Sequence, residues 1–129
     1  MSFFSIFHKP AFIAVMIGIL LGTASCYKEG TGGKSSVSGT VYHHTRPIPS
    51  CVVYIKYGAT EFPGTDVSVY DASVAVDANA HYEFAGLRKG DYFLYGVGYD
   101  NAGPYTVTGG VGVKLKYNKS TTTDVPVTE

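Results

Sequence analysis

Residues 77–94 read Asp77-Ala78-Asn79-Ala80-His81-Tyr82-Glu83-Phe84-Ala85-Gly86-Leu87-Arg88-Lys89-Gly90-Asp91-Tyr92-Phe93-Leu94. Tyr82 and Phe84 alternate with His81 and Glu83, the period of two that puts one face of a strand into a core and the other into water. Asp77 to Ala80 has turn composition, and Asn79 tolerates the left-handed conformation that a tight turn demands. Gly86 to Gly90 forms a second turn, after which Tyr92 and Leu94 resume one face. The flanking segments repeat this pattern. Val74 and Val76 read as the other arm of a hairpin turning at Asp77–Ala80. Earlier strands are expected at Val37–Tyr42, with Val37, Gly39 and Val41 inward, at Cys51–Tyr57, and around Val67–Tyr70. Later ones are expected at Asp91–Tyr99, at Val111–Tyr117 with Val111, Val113, Leu115 and Tyr117 on one face, and at Thr121–Val127. Gly, Pro, Asn and Asp clusters separate them, and no helical periodicity appears after residue 35. The expectation is an all-β sandwich of about seven strands.

The quoted stretch resembles the D-x-N-G-x-Y-x-F-x-x-L-x-x-G-x-Y-x-L signature of carboxypeptidase regulatory-like domains. Val37-Ser38-Gly39-Thr40-Val41, Pro47-Ile48-Pro49 and the strand at Val52 are similar to that family's opening elements. The likeness spans most of residues 36–127 and departs from the pattern at Ala80, where Gly is usual. It implies a transthyretin-like, seven-stranded Greek-key β-sandwich. Such domains are appended to enzymes and outer-membrane receptors, or stand alone as small lipoproteins. The signature is one of fold and contains no catalytic group.

The 129-residue chain opens differently. Lys9 and Pro10 precede the apolar run Ala11–Leu21, and small residues Gly22, Thr23, Ala24 and Ser25 follow. Eleven apolar residues suit an export signal, whereas a spanning helix needs about 20. Leu21-Gly22-Thr23-Ala24-Ser25-Cys26 resembles the lipobox of bacterial lipoproteins, with Thr23 where Leu is usual. That resemblance implies cleavage before Cys26, a diacylglycerol on its thiol and an acylated amino group. Two or three acyl chains, at about 0.8 kcal/mol per buried methylene, would hold the protein on a bilayer. The expected organisation is a signal-peptide helix over 1–25, a Gly-rich flexible tether over 26–35 and the sandwich over 36–129. The expected location is the bacterial cell envelope, at the outer membrane. Plain secretory cleavage is the competing reading, and it would leave Cys26 available to pair with Cys51.

Ten Lys and Arg balance ten Asp and Glu, and removing residues 1–25 leaves nine against ten. That balance argues against nucleic acid as a partner, since phosphate binding needs a concentrated positive field, and against a polybasic membrane patch. Cys51 shares a strand face with Val53 and Ile55, which suits a small buried residue better than a nucleophile. His43-His44 precedes Arg46, but adjacent residues on an extended chain point to opposite sides, so loop histidines are expected rather than metal ligands. Asp71, Asp77 and Asn79 lack the spacing of a calcium loop. Two enzyme families of similar fold fit poorly. The Tyr-Arg-Gly-Ser tail of hydroxyisourate hydrolases has no counterpart in Asp124–Glu129, and the His-x-His iron ligands of intradiol dioxygenases are missing from the sequence. No enzyme, cofactor or metal is expected.

Aromatic content is the remaining oddity, since all eleven Tyr follow residue 26. Both faces of Asp91–Tyr99 are apolar, although only one face of a sandwich sheet looks inward. The surplus either packs beneath a loop or offers rings to a partner, another envelope protein or a glycan. Phe93, Tyr95 and Tyr99, extended by Phe62 and Tyr105 from loops, are the candidate partner surface. The expected role is a lipid-anchored structural or protein-interaction module. A carbohydrate-binding module is the alternative, with a small enzyme of transthyretin-like fold behind it.

Overall fold

The computed structural model describes residues 28–129. The expected signal segment over 1–25 and the expected lipidation site Cys26 lie outside the described residues. Nine strands follow in order: β1 Thr31–His43, β2 Arg46–Pro47, β3 Cys51–Tyr57, β4 Ala72–Ala75, β5 His81–Leu87, β6 Gly90–Asp100, β7 Tyr105–Leu115, β8 Ser120–Thr122 and β9 Val125–Val127. They form two sheets. In one, β1 is central, antiparallel to β5 and to the short β2 and parallel to β8 and β9. The other is fully antiparallel in the order β4-β3-β6-β7.

The sheets meet face to face over Val37, Val41, Tyr82 and Val125 from the first and Val53, Ile55, Leu94 and Val107 from the second, all buried. Apart from Val107 and Val125, to which the sequence pattern assigns no inward face, these are the positions that the alternation turns inward, so the period-two pattern becomes packing directly. Thr108 and Thr128 exchange backbone hydrogen bonds of 2.9 Å in each direction, stitching β7 to the residue after β9 along one side of the sandwich.

The departures from expectation have local causes. Val67–Val69 is a single 3-10 turn, because the Asp66 carboxylate accepts hydrogen bonds from the Ser68 amide at 3.0 Å and its hydroxyl at 2.7 Å. Such side-chain bonds compete with strand pairing, and the strand falls to Ala72–Ala75 instead. Asp77–Ala80 does turn, with Asp77 Oδ1 accepting from Asn79 and His81 amides at 2.8 and 2.9 Å. Its arms do not pair, however. The Val76 amide donates to Cys51 in one sheet while the Ala80 carbonyl accepts from Val41 in the other, so the turn is a crossover between layers.

The strand expected over Thr121–Val127 is divided into β8 and β9, which with the two-residue β2 raises the count above seven. At the break the Thr123 amide donates to Ser38 at 2.8 Å and Asp124 accepts from the Thr40 amide at 3.0 Å. The chain passes so close over Gly39 that a Cβ there would overlap the Thr123 carbonyl, which also accepts a hydrogen bond from the Tyr82 hydroxyl. β7 begins at Tyr105, six residues early, and pairs with β6 along its whole length. Residues 31–35, expected as tether, are the start of β1, where Thr31 and Ser35 both face Leu87 across an irregular register.

Candidate binding surfaces at the two ends of the sandwich

The expected aromatic partner surface is not one surface. Phe93 and Tyr95 are buried, at 8% and 3% exposure, beneath the loop that joins β3 to β4. Phe62 lies 5.9 Å from the Phe93 ring and 5.2 Å from that of Tyr95, and Tyr70 stacks on Tyr95 at 5.5 Å and 14°. The Tyr70 hydroxyl donates to the Gly64 carbonyl at 2.8 Å, tying the loop to itself. Of the two readings left open by the sequence, packing beneath a loop holds for Phe93 and Tyr95. Phe62 is the half-exposed lid, Tyr99 is exposed on β6, and Tyr105 turns edge-on toward His43 at 5.6 Å. Tyr117, expected on the core face, is the most exposed large apolar side chain among the described residues, at 72%.

Cys51 is a core residue, as its strand position suggests. Burial pushes its thiol up to about 11, which leaves it protonated and unreactive near neutral pH.

The histidine pair departs from expectation. His43 ends β1 and is buried, with Nδ1 2.8 Å from Asp100 Oδ2. Asp100 is buried too, and it also accepts from the Ala102 amide at 2.9 Å and from Arg46 Nη1 at 3.3 Å. The hydrogen bond to Asp100 raises the His43 pKa against the opposing effect of burial, and the Glu129 carboxylate adds to the rise. The same bond, followed by the Ala102 amide, lowers that of Asp100. His44 sits in a two-residue turn between β1 and β2 with φ of 57°, the sharp bend that extended geometry excludes. Its ring therefore returns to within 4.5 Å of the His43 ring. The turn closes a short hairpin in which His43 faces Arg46 and Pro47 sits on the edge strand β2, where its missing amide costs no ladder bond.

Roughly 30 Å of β1 separates His43 from Lys34 and the opposite end of the sandwich. There an open groove of about 680 Å³ is lined by Lys28, Lys34, Arg88, Lys89 and Lys114, with Glu29 as its acid. Residues 28–30 are pinned onto the β5–β6 turn. The Arg88 amide donates to Gly30 at 2.7 Å, and the buried Tyr92 hydroxyl accepts from the Gly30 amide at 2.9 Å while donating to the Arg88 carbonyl at 2.6 Å. Lys114 also pairs with Asp91 at 3.7 Å. The balanced net charge hides this segregation: cations from β1, the β5–β6 turn and β7 gather at one end, contrary to the exclusion of a basic patch drawn from composition. Tyr117 and Asn118 form part of the same wall.

No family model and no curated protein matches the chain. Among solved structures it is similar to a DUF3823 family protein from Parabacteroides merdae, with 18% identity and a TM-score of 0.49 over 75% of this chain. It spans about half of that protein, 47% of its length. It is also similar to a proposed carbohydrate-binding protein from Pseudomonas aeruginosa, with 10% identity and a TM-score of 0.51, covering 75% of this chain and 90% of that one. At that identity the likeness is one of fold: the chain is an all-β, two-sheet sandwich, as the order of its strands and the overlap with the Pseudomonas protein both indicate.

Proposed function

We propose that this chain is a lipid-anchored, non-enzymatic sandwich of the bacterial envelope that docks an acidic segment of another envelope protein in its basic groove. The position of the groove carries the reading. Lys28 lines it and stands two residues from Cys26, a span of about 7 Å at most. Acyl chains on Cys26 would therefore set this end of the sandwich against the headgroup layer, where a partner at the membrane surface meets Lys28, Lys34 and Lys89 beside Glu29, with Lys114 shared with Asp91 and Arg88 engaged by the Lys28 carbonyl. The non-enzymatic part is supported by the state of the one free thiol among the described residues: Cys51 lies in the core, where burial keeps it protonated near neutral pH.

Cross-linking in isolated envelopes tests the reading. A defined adduct is expected from the anchored protein, weakened as salt rises and lost when Lys28, Lys34 and Lys89 are replaced together by Glu. An adduct indifferent to those replacements would refute the assignment of the groove.

A second reading, carbohydrate binding, draws on the description of the Pseudomonas protein of similar fold and on Tyr117, whose exposed ring is free to stack on a sugar face. A glycan array separates the two. Sugar binding lost in Tyr117→Ala, with the fold retained, would favour the second, and no glycan signal would leave the protein partner as the reading.

A further inference from the structure

We propose that His43, His44 and Glu129 form a binding site for one divalent transition-metal ion of the zinc type, at the end of the sandwich remote from the basic groove. One ring nitrogen from each of His43 and His44 and a carboxylate oxygen of Glu129 all lie within 4.8 Å of one another, and His43 Nε2 is 2.6 Å from Glu129 Oε2. Two imidazoles and a carboxylate are a donor set that zinc and its neighbours favour. A tetrahedral centre with bonds of about 2.0–2.1 Å places its donors about 3.3 Å apart. The present spacing brackets that value, and both groups that must shift, His44 and Glu129, are exposed.

Two further observations point to an ion here. The first is the state of His43: its ring is buried and its Nε2 has no hydrogen-bond partner among the described residues. Glu129 Oε2 is 2.6 Å away, an ion-pair contact when the ring is protonated and an acceptor with no proton to accept when Nε2 carries none. The second is the support behind the ring. Asp100 holds Nδ1 at 2.8 Å and is itself held by the Ala102 amide and Arg46, so the neutral tautomer with its proton on Nδ1 would present the Nε2 lone pair toward Glu129. Carboxylate–histidine pairs of this kind orient ligating imidazoles and raise their basicity. A cavity of about 410 Å³ in front of the pair, bounded by Thr45, Arg46, Pro47 and Tyr105, has room for the ion and the waters that complete its shell. The charged groups facing the site are Asp100, Glu129 and Arg46, with Arg46 occupied by Asp100.

The alternative is an imidazolium of His43 between the two carboxylates with no ion at all. Titration of the full untagged chain in detergent with zinc sulfate, repeated with cobalt chloride for its visible absorption, separates the two. Wild type is expected to bind one ion per chain, with affinity falling as pH drops because a proton competes for Nε2. His44→Ala and Glu129→Gln, both surface changes, should each weaken binding about tenfold or more, and Asp100→Asn by about 10–100-fold. Circular dichroism of each variant confirms the fold. Absence of saturable binding, or binding that His44→Ala and Glu129→Gln leave intact, would overturn the proposal.

Discussion

Tyr92→Phe removes one oxygen from a fully buried side chain and leaves the ring in place. That oxygen accepts from the Gly30 amide at 2.9 Å and donates to the Arg88 carbonyl at 2.6 Å, so it joins the first described residues to the β5–β6 turn. Without it, the Gly30 amide is left buried and unsatisfied, which costs about 1–3 kcal/mol, and the Arg88 carbonyl loses a bond worth about 1 kcal/mol net. The ring edge against Tyr57 at 5.8 Å is unchanged, so no large cavity term enters. The expected loss is about 2–3 kcal/mol. With a urea m-value of about 1–1.5 kcal/mol/M for a domain of this size, the midpoint should fall by about 1.3–3 M. Hydrogen exchange at Gly30 should accelerate at the same time, since its amide loses its acceptor. Tyr117→Phe, at an exposed ring, should stay within about 0.5 kcal/mol of wild type. If Tyr92→Phe also stays within that range with Gly30 still protected, then the hydroxyl does not hold the segment and the pinning of residues 28–30 is misassigned.

Ala80 takes φ of 63°, a left-handed conformation that favours Gly; relief of about 1–2 kcal/mol of backbone strain is offset by about 1 kcal/mol for the lost buried methyl. Ala80→Gly should therefore be neutral or stabilising by up to about 1 kcal/mol in urea unfolding, and a loss above about 1 kcal/mol would contradict the strain argument. Gly39→Ala should cost more than about 2 kcal/mol, because the new Cβ displaces the Thr123 carbonyl from over β1; a shift under about 0.5 kcal/mol would show that the β8–β9 link can move freely. The His43–Asp100 pair should confer most stability between about pH 4 and pH 6.5. Below that window the lowered Asp100 carboxyl is protonated and its contribution disappears as pH falls through its folded value; above it the raised His43 loses its proton and its contribution goes as pH rises through its folded value. Thermal melts of His43→Gln should lack the alkaline decline, and parallel profiles for variant and wild type above pH 6.5 would refute the assignment.

Core positions were the most legible part of the sequence. Val37, Val41, Val53, Ile55, Tyr82, Tyr92 and Leu94 follow a period of two that depends only on neighbours in the chain, and all are buried. Phe84 is half-buried where full burial was expected, because β5 lies at an edge of its sheet. What the sequence hid depends on distant partners. Phe93 and Tyr95 share a face that looks like a binding stripe until Phe62 and Tyr70, about thirty residues earlier, fold across it. The approach of the His43 and His44 rings was hidden because a left-handed residue at His44 reverses the side-chain rule for extended chains. Net charge concealed the basic groove, since a sum over the chain says nothing about which end holds the lysines. Asp66 with Ser68 was the one local signal that argued against a strand at Val67, through hydrogen bonds these residue types make with their own backbone.

The proposal that the groove works at a membrane surface depends on the anchor at Cys26. Mass spectrometry of the N-terminal peptide, taken from protein purified out of native membranes, tests it most directly. The expected peptide begins at Cys26 and carries a diacylglyceryl thioether and an acylated amine. An unmodified Cys26 thiol, or a mature chain beginning elsewhere, would contradict the account.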